Sequence, residues 1–342
     1  KAFQNINSAV FPINIIGTMS AGKSTLINAL LGRKLMPSKN QACTDKITEI
    51  LDNDSDRFHA IVYDAENQVL ENIQDLTYDI MNRLNDEEDV RKIMVEGNIP
   101  FLDSSETALE LIDTPGTNNS RNQEHKNTTY RALQSGSNSL ILYILNGTQL
   151  QTNDDANLLS YVAEQIQKGG KQVRDRFLFV VNKMDDINPE EENVKDILQD
   201  VKRYLAQFGI DDPQIFPCSA FTALNLEVYL NGIDIDKLSR SDERKLPSAA
   251  KDAITMAYKF MDYPMMHLEQ YSTLSPSAQN QLYDRLRNAE EREDTNEQVM
   301  IHSGIYSIEA AITAYVKKYA RTKKIKELVE SFEQVLESSQ VL

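Results

Sequence analysis

The chain has no tryptophan, two cysteines and four histidines among its 342 residues. Cys43 and Cys218 stand far apart in no metal-ligand spacing, which excludes a disulfide framework and a cysteine-based zinc motif. With no secretory leader in view, the thiols read as reduced and the setting as cytoplasmic. His59, His125, His267 and His302 form no cluster along the sequence, so no transition-metal site is expected. Positive charge is also scarce, with 36 Lys and Arg against 52 Asp and Glu and a net charge of −16. Such a surface repels nucleic-acid backbones and anionic headgroups, and no nucleic-acid partner is expected. The most basic stretch, Lys317 to Lys326, reads as the solvated side of a helix. No apolar run approaches the length needed to span a bilayer, so membrane contact is expected only through parts absent from this chain.

What the chain does have is a 41% apolar fraction, enough for a sizeable core, and a glycine loop in a telling context. Gly17-Thr18-Met19-Ser20-Ala21-Gly22-Lys23-Ser24-Thr25 follows an apolar run, Phe11 to Ile16, and opens a periodic segment, Leu26 to Leu31. Strand, glycine loop and helix in that order make a phosphate loop. Its successive N–H groups and the helix N-terminus favour phosphate oxygens. Lys23 is expected to reach the β- and γ-phosphates, and Ser24 to hold Mg²⁺.

Downstream segments supply the rest of a site. Leu109–Ile112 runs as a short strand into Asp113-Thr114-Pro115-Gly116, where Asp113 suits the Mg²⁺ shell and the Gly116 N–H suits the γ-phosphate. Another buried strand, Arg176–Val181, runs into Asn182-Lys183-Met184-Asp185. A carboxylate at Asp185 accepts two hydrogen bonds from guanine that adenine cannot offer. Lys183 would lie over the purine, Asn182 would tie this loop to the phosphate loop, and Ser219-Ala220 is the second base contact. In the long loop 33–47, Thr44 is the candidate to close over Mg²⁺ and the γ-phosphate; Thr48 is the competitor, and Thr44 is favoured because Thr48 has the look of a strand residue.

Apolar strands alternate with helices up to Phe221: Ser139–Leu145, a helix near 154–167, then Arg176–Val181, a helix near 191–208 and Gln214–Cys218. The expected fold class is α/β, a mostly parallel sheet with helices on both faces. Two strands are expected at Ile47–Leu51 and Arg57–Tyr63, and an acidic helical insert between Glu66 and Glu96. Residues 222–300 read as a second, helical insert. From Ser307 to about Leu336, apolar residues at three- and four-residue steps predict one long amphipathic helix. The chain starts at Lys1 and ends inside that pattern, and reads as a piece of something longer.

The phosphate loop with its continuation Leu26-Ile27-Asn28-Ala29-Leu30-Leu31-Gly32, then Leu35-Met36-Pro37 and Ala42-Cys43-Thr44, resembles bacterial members of the dynamin superfamily. That resemblance implies a GTPase head at 1–302, with inserts at 66–105 and 222–300. It implies a bundle helix at 303–342 leading to a stalk, and heads that pair across their nucleotide sites to stimulate hydrolysis. Thr117 stands where a Ras-like switch has its water-orienting glutamine. The resemblance gives Ser20 the task of stabilising the transition state, with K⁺ or Na⁺, while Met19 departs from the glutamine common in dynamins. The expected catalytic set is therefore Ser20, Lys23, Thr44 and Gly116, and the metal set Ser24, Thr44 and Asp113. A slow regulatory switch that binds a protein partner when GTP-loaded is the alternative. A ribosome-assembly GTPase ranks lower, since the chain lacks a basic RNA platform.

Overall fold

The computed structural model describes residues 10–17, 20–37, 46–102, 107–114, 133, 139–150, 153–233 and 235–319. Among these residues the backbone forms one nine-stranded sheet. In chain order the strands are β1 (Val10–Gly17), β2 (Ile47–Asp52), β3 (His59–Tyr63), β4 (Val69–Ile73), β5 (Lys92–Gly97), β6 (Ala108–Asp113), β7 (Leu140–Asn146), β8 (Phe177–Asn182) and β9 (Gln214–Pro217). Their spatial order is β4-β3-β5-β2-β6-β1-β7-β8-β9.

The half that carries β1, β7, β8 and β9 is wholly parallel, with β1 also parallel to β6. β8 is buried at all six positions, as expected of a strand with layers on both faces. The other half alternates. β2, β6 and most of β5 switch between buried and half-buried positions, and β2–β6, β3–β5 and β3–β4 are antiparallel. The sheet is thus mostly parallel, as the strand and helix alternation predicted.

One expectation is corrected. Residues 66–96 are not a broken acidic helix: they form β4, a helix α2 (Tyr78–Asp86) and β5, and the two strands extend the sheet. Only α2 has a helical signal that the sequence declares, with Thr77 Oγ1 accepting from Ile80 N at 3.3 Å. In β5 the inward residues Ile93 and Val95 do alternate, but the strand pairs in parallel with β2, distant in sequence. β4 lies at the open edge with Val69 and Leu70 exposed, so burial never shaped its pattern. Buried Lys46 binds the C-terminal end of α2, donating to the carbonyls of Leu84, Asn85 and Glu87 at 2.5, 2.8 and 2.5 Å.

Helices α1 (Lys23–Leu30), α3 (Asn153–Arg174) and α4 (Val194–Ala206) follow β1, β7 and β8. Beyond β9 the described chain is helical: α5 (Ala220–Asn225), α6 (Arg240–Lys245), α7 (Ser248–Asp262), α8 (Pro276–Glu291), α9 (Thr295–His302) and a last helix, α10, over Ile305–Tyr319. The elbow between α9 and α10 bends by 64°. Gly304 at that elbow has φ +80°, and a Cβ there would sit 2.2 Å from the Pro217 carbonyl oxygen. The bend therefore presses backbone against the end of β9. α10 buries Ile305, Ile308, Ile312 and Val316, and its Tyr315 meets Phe11 of β1 edge-on at 5.9 Å. Lys318 Nζ and Tyr319 Oη reach Asp175 Oδ2 at 3.4 and 3.2 Å. No single helix among the described residues is long and apolar enough to cross a membrane.

Candidate nucleotide site

Three strand ends meet at the carboxyl edge of the parallel half of the sheet, where open α/β sheets bind ligands. The first is β1, whose last residue, Gly17, has no room for a side chain: a Cβ would stand 2.5 Å from the Ile144 carbonyl oxygen. The loop after it turns through Ser20, exposed and in the left-handed region at φ 62°. It then turns through Gly22 at φ +90°, where α1 begins. Lys23 opens the helix and donates from Nζ back to the Gly17 carbonyl at 3.3 Å, so its ammonium lies across the loop's concave side. Ser24 and Thr25 are half-buried in the first turn, Ala21 is buried, and Thr18 and Met19 lie outside the described residues.

The second is β6, which ends at Asp113, level with Ile15 of β1 and Thr48 of β2. Asp113 is buried and its Oδ1 has no hydrogen-bond partner among the described residues. Burial pushes its carboxyl up to about 6, against the pull of the Lys23 ammonium. A carboxylate so held suits a cation, so the Mg²⁺ shell expected of Asp113 and Ser24 fits the residues present. Thr114 Oγ1 donates to the Ile15 carbonyl at 3.0 Å and fastens the start of the next loop to β1. Thr48 is a buried β2 residue. Thr44 and Gly116 lie outside the described residues.

The third is β8. Its last residue, Asn182, is buried and makes two hydrogen bonds with opposite ends of its amide. Nδ2 donates to the Ala21 carbonyl at 3.0 Å, and Oδ1 accepts from Ala220 N at 3.1 Å. One side chain therefore clamps the glycine loop to the turn after β9. Lys183 follows in the left-handed region at φ 67° and starts the short helical turn Met184–Asp186. Asp185 is buried; burial raises its carboxyl above the ordinary range, and the Ser219 hydroxyl, donating to Oδ1 at 2.6 Å, pulls it back. Ser219 also caps α5, accepting from Thr222 N at 3.1 Å.

Two further residues act on this loop, and neither stood out in the sequence. Lys259 of α7 donates from Nζ to the Asp185 carbonyl at 2.6 Å; burial lowers its pKa, with Asp185, Asp186 and Glu192 opposing. Ser303, just after α9, accepts Ser219 N–H at its carbonyl at 2.8 Å. A single lysine in an amphipathic helix carries no sequence signal of its target, because only the fold brings α7 to Asp185.

The sequence profile of the dynamin family matches residues 13–184. Dynamin-like protein 2 of Campylobacter jejuni is 26% identical over 188 residues, covering 55% of this chain and 27% of that protein. A bacterial dynamin-like protein of Nostoc punctiforme is 23% identical over 262 residues, covering 69% of this chain and 36% of its own. A solved structure of an oligomerised bacterial dynamin pair, described as a mechanism for long-range sensing and tethering of membranes, aligns with 100% of this chain and 49% of its own. Its TM-score is 0.51 at 14% identity, a likeness of fold. The chain thus spans 27% and 36% of the two bacterial dynamin-like proteins it matches.

Proposed function

Because the chain belongs to the dynamin family and carries its GTPase domain, we propose that it binds GTP with Mg²⁺, hydrolyses it to GDP and phosphate, and does so through heads that pair across their nucleotide sites. The observation that carries the reading is the Asn182 clamp, which joins a glycine loop, a carboxylate loop and a capped turn at one sheet edge. In this reading residues 17–25 cradle the phosphates, Lys23 meets the β- and γ-phosphates, and Gly116 N–H meets the γ-phosphate. Ser24, Thr44 and Asp113 hold Mg²⁺, which when bound neutralises charge on the phosphate oxygens. The guanine edge is read by Asp185, with Lys183 over the ring and a backbone N–H of Ser219-Ala220 as the second base contact, which requires the bond from Ser219 N to Ser303 or from Ala220 N to Asn182 to yield. A carboxylate whose Oδ1 is already oriented by Ser219 pays little reorganisation to accept the N1–H and 2-amino donors. Adenine leaves it unpaired in a buried site, which a hydrogen-bonding pocket rejects strongly.

Ser20 carries the proposed catalytic distinction. It is exposed at the loop's crest, and we assign it to stabilising charge between the β- and γ-phosphates with K⁺ or Na⁺. The domain is taken as residues 1–302, with 303–342 as the helix of a bundle leading to a stalk. The chain is read as a cytoplasmic protein that associates with membrane peripherally.

GTP turnover measured across protein concentration tests the proposal, with gel filtration in GDP and in a transition-state analogue, each in K⁺ and in Na⁺. The expected result is turnover per head that rises with concentration and dimers formed with the analogue alone. Slow turnover independent of concentration, with no analogue-dependent dimer, refutes pairing and favours a regulatory switch. Ser20→Ala with unchanged turnover and unchanged cation dependence refutes the assignment of Ser20.

A further inference from the structure

The histidines that look scattered in sequence do not stay scattered. His267 and Glu269 lie in the turns between α7 and α8, and His302 is the last residue of α9. The fold stacks the two imidazoles face to face, with centroids 3.6 Å apart and planes within 5°. His302 and Glu269 are buried, each 4% exposed, and His302 Nδ1 lies 3.1 and 3.2 Å from the two Glu269 carboxylate oxygens. The backbone of Phe260 hydrogen-bonds the His267 ring, while His267 Nε2 is buried with no partner among the described residues. One ligand atom from each of the three residues lies within 4.8 Å of the other two.

We propose that His267, Glu269 and His302 bind a divalent transition metal of the zinc class. The donor set argues for it: two imidazoles and one carboxylate suit Zn²⁺ and are a poor cage for Mg²⁺ or Ca²⁺, which take oxygen. The distances argue for it as well. A charge-assisted N–H···O⁻ bond is about 2.7–2.9 Å long, shorter than the 3.1 and 3.2 Å found here. Two ligands at about 2.0–2.1 Å from a tetrahedral ion lie about 3.3 Å apart. An ion between Nδ1 and the carboxylate therefore fits separations already present. The orphan His267 nitrogen is the third argument. Leaving a buried acceptor unpaired is costly, and a metal ligand commonly has its other ring nitrogen fixed by a backbone group, as Phe260 fixes this one.

Ligation requires the stacked rings to splay, since one ion cannot lie in two parallel planes. His267 is the residue with room to tilt, because it is the half-buried member of the three. The fourth position is left to water.

The site is structural by its place. The turn that carries His267 and Glu269 is tied to β9 through Thr273, whose N donates to the Ile215 carbonyl at 2.9 Å. His302 precedes Ser303 and Gly304, which rest on Ser219 and Pro217. A metal here staples the helical region after β9 to the elbow from which α10 departs. It is separate from the Mg²⁺ position at Asp113.

Metal analysis of the full chain tests this, after chelator treatment and reloading with Zn²⁺, with Mg²⁺ and GDP present to fill the nucleotide site. The expected result is one Zn²⁺ per chain retained through gel filtration, intense tetrahedral d–d absorption when Co²⁺ replaces it, and a higher melting temperature on adding zinc. His267→Gln, at a half-buried position that should tolerate it, is expected to weaken Zn²⁺ binding at least about 100-fold and abolish the cobalt bands. His59→Gln, remote on β3, should change neither. Zinc content at background in the wild-type chain, or equal in wild type and His267→Gln, overturns the proposal and leaves a stacked histidine pair with His302 hydrogen-bonded to Glu269. Octahedral cobalt spectra overturn it too.

Discussion

The contact between Gly22 and Asn182 allows a prediction with a sign. A Cβ on Gly22 would stand 2.3 Å from Asn182 Nδ2, and φ there is +90°. Gly22→Ala therefore meets two costs, a left-handed backbone worth about 1–2 kcal/mol and a clash with a buried amide held at both ends. Asn182→Ala has a different cost. It removes two hydrogen bonds worth about 1 kcal/mol each and strands a buried carbonyl at Ala21 and a buried N–H at Ala220, for a total of about 2–4 kcal/mol. The double variant does not sum these, because removing the amide leaves the new methyl free of its obstacle while the backbone strain remains. The expected coupling is about 1–2 kcal/mol in the relieving direction, well above the few tenths that separate independent sites. Urea unfolding of the four proteins measures it, alongside fluorescent GDP affinity. Costs that add within about 0.4 kcal/mol would refute the clamp as drawn.

Asp185→Asn exchanges an acceptor for a donor, so guanine affinity should fall by about 10²–10⁴-fold and xanthine nucleotide affinity should rise; a titration with both decides, and retained GTP preference counts against Asp185 as base reader. Lys259→Met removes the ammonium from the Asp185 carbonyl. GTP affinity should fall about 3–10-fold with the fold intact by circular dichroism, whereas unchanged affinity would make Lys259 a packing residue only. Burial pushes the Glu309 carboxyl up to about 8, Arg285 opposing and Glu227 and Glu297 adding. The folded state thus holds that proton more tightly than the unfolded, and stability falls as pH rises from about 4.5 through about 8. Glu309 is half-buried, so Glu309→Gln should flatten that fall by about 2 kcal/mol in urea midpoints, and an equal slope in both proteins refutes it.

The sequence declares what is local. Gly17, Gly22 and Lys23 announce a turn and a helix start by residue type alone, and β7 and β8 announce burial by unbroken apolar runs. Asp113 and Asp185 announce themselves by following such strands. Non-local pairing leaves no such mark. β5 joins the sheet beside β2 across a long stretch of chain, and its charged outward residues make it look helical. His267, Glu269 and His302 are the sharper case. Each is unremarkable in its own segment, and 33 residues separate Glu269 from His302. The elbow at Gly304 and the turns after α7 bring them together. Spacing rules for metal ligands find sites built within one hairpin or helix; they are blind to a site assembled from a turn and a distant helix end.

The base-reading loop is held from outside the parallel sheet. Lys259 of α7 takes the Asp185 carbonyl, and Ser303 takes the Ser219 N–H. Ser219 in turn orients Asp185, and Asn182 links both to the phosphate loop. A shift of this loop bears on α7 through Lys259 and on the α9–α10 elbow through Ser303. The elbow cannot absorb the shift by sliding, because Gly304 already rests against the Pro217 carbonyl and α10 is seated on Phe11 by Tyr315. The base-reading loop and the α9–α10 elbow are thus linked through Ser219, whose hydroxyl holds Asp185 and whose N–H is held by Ser303.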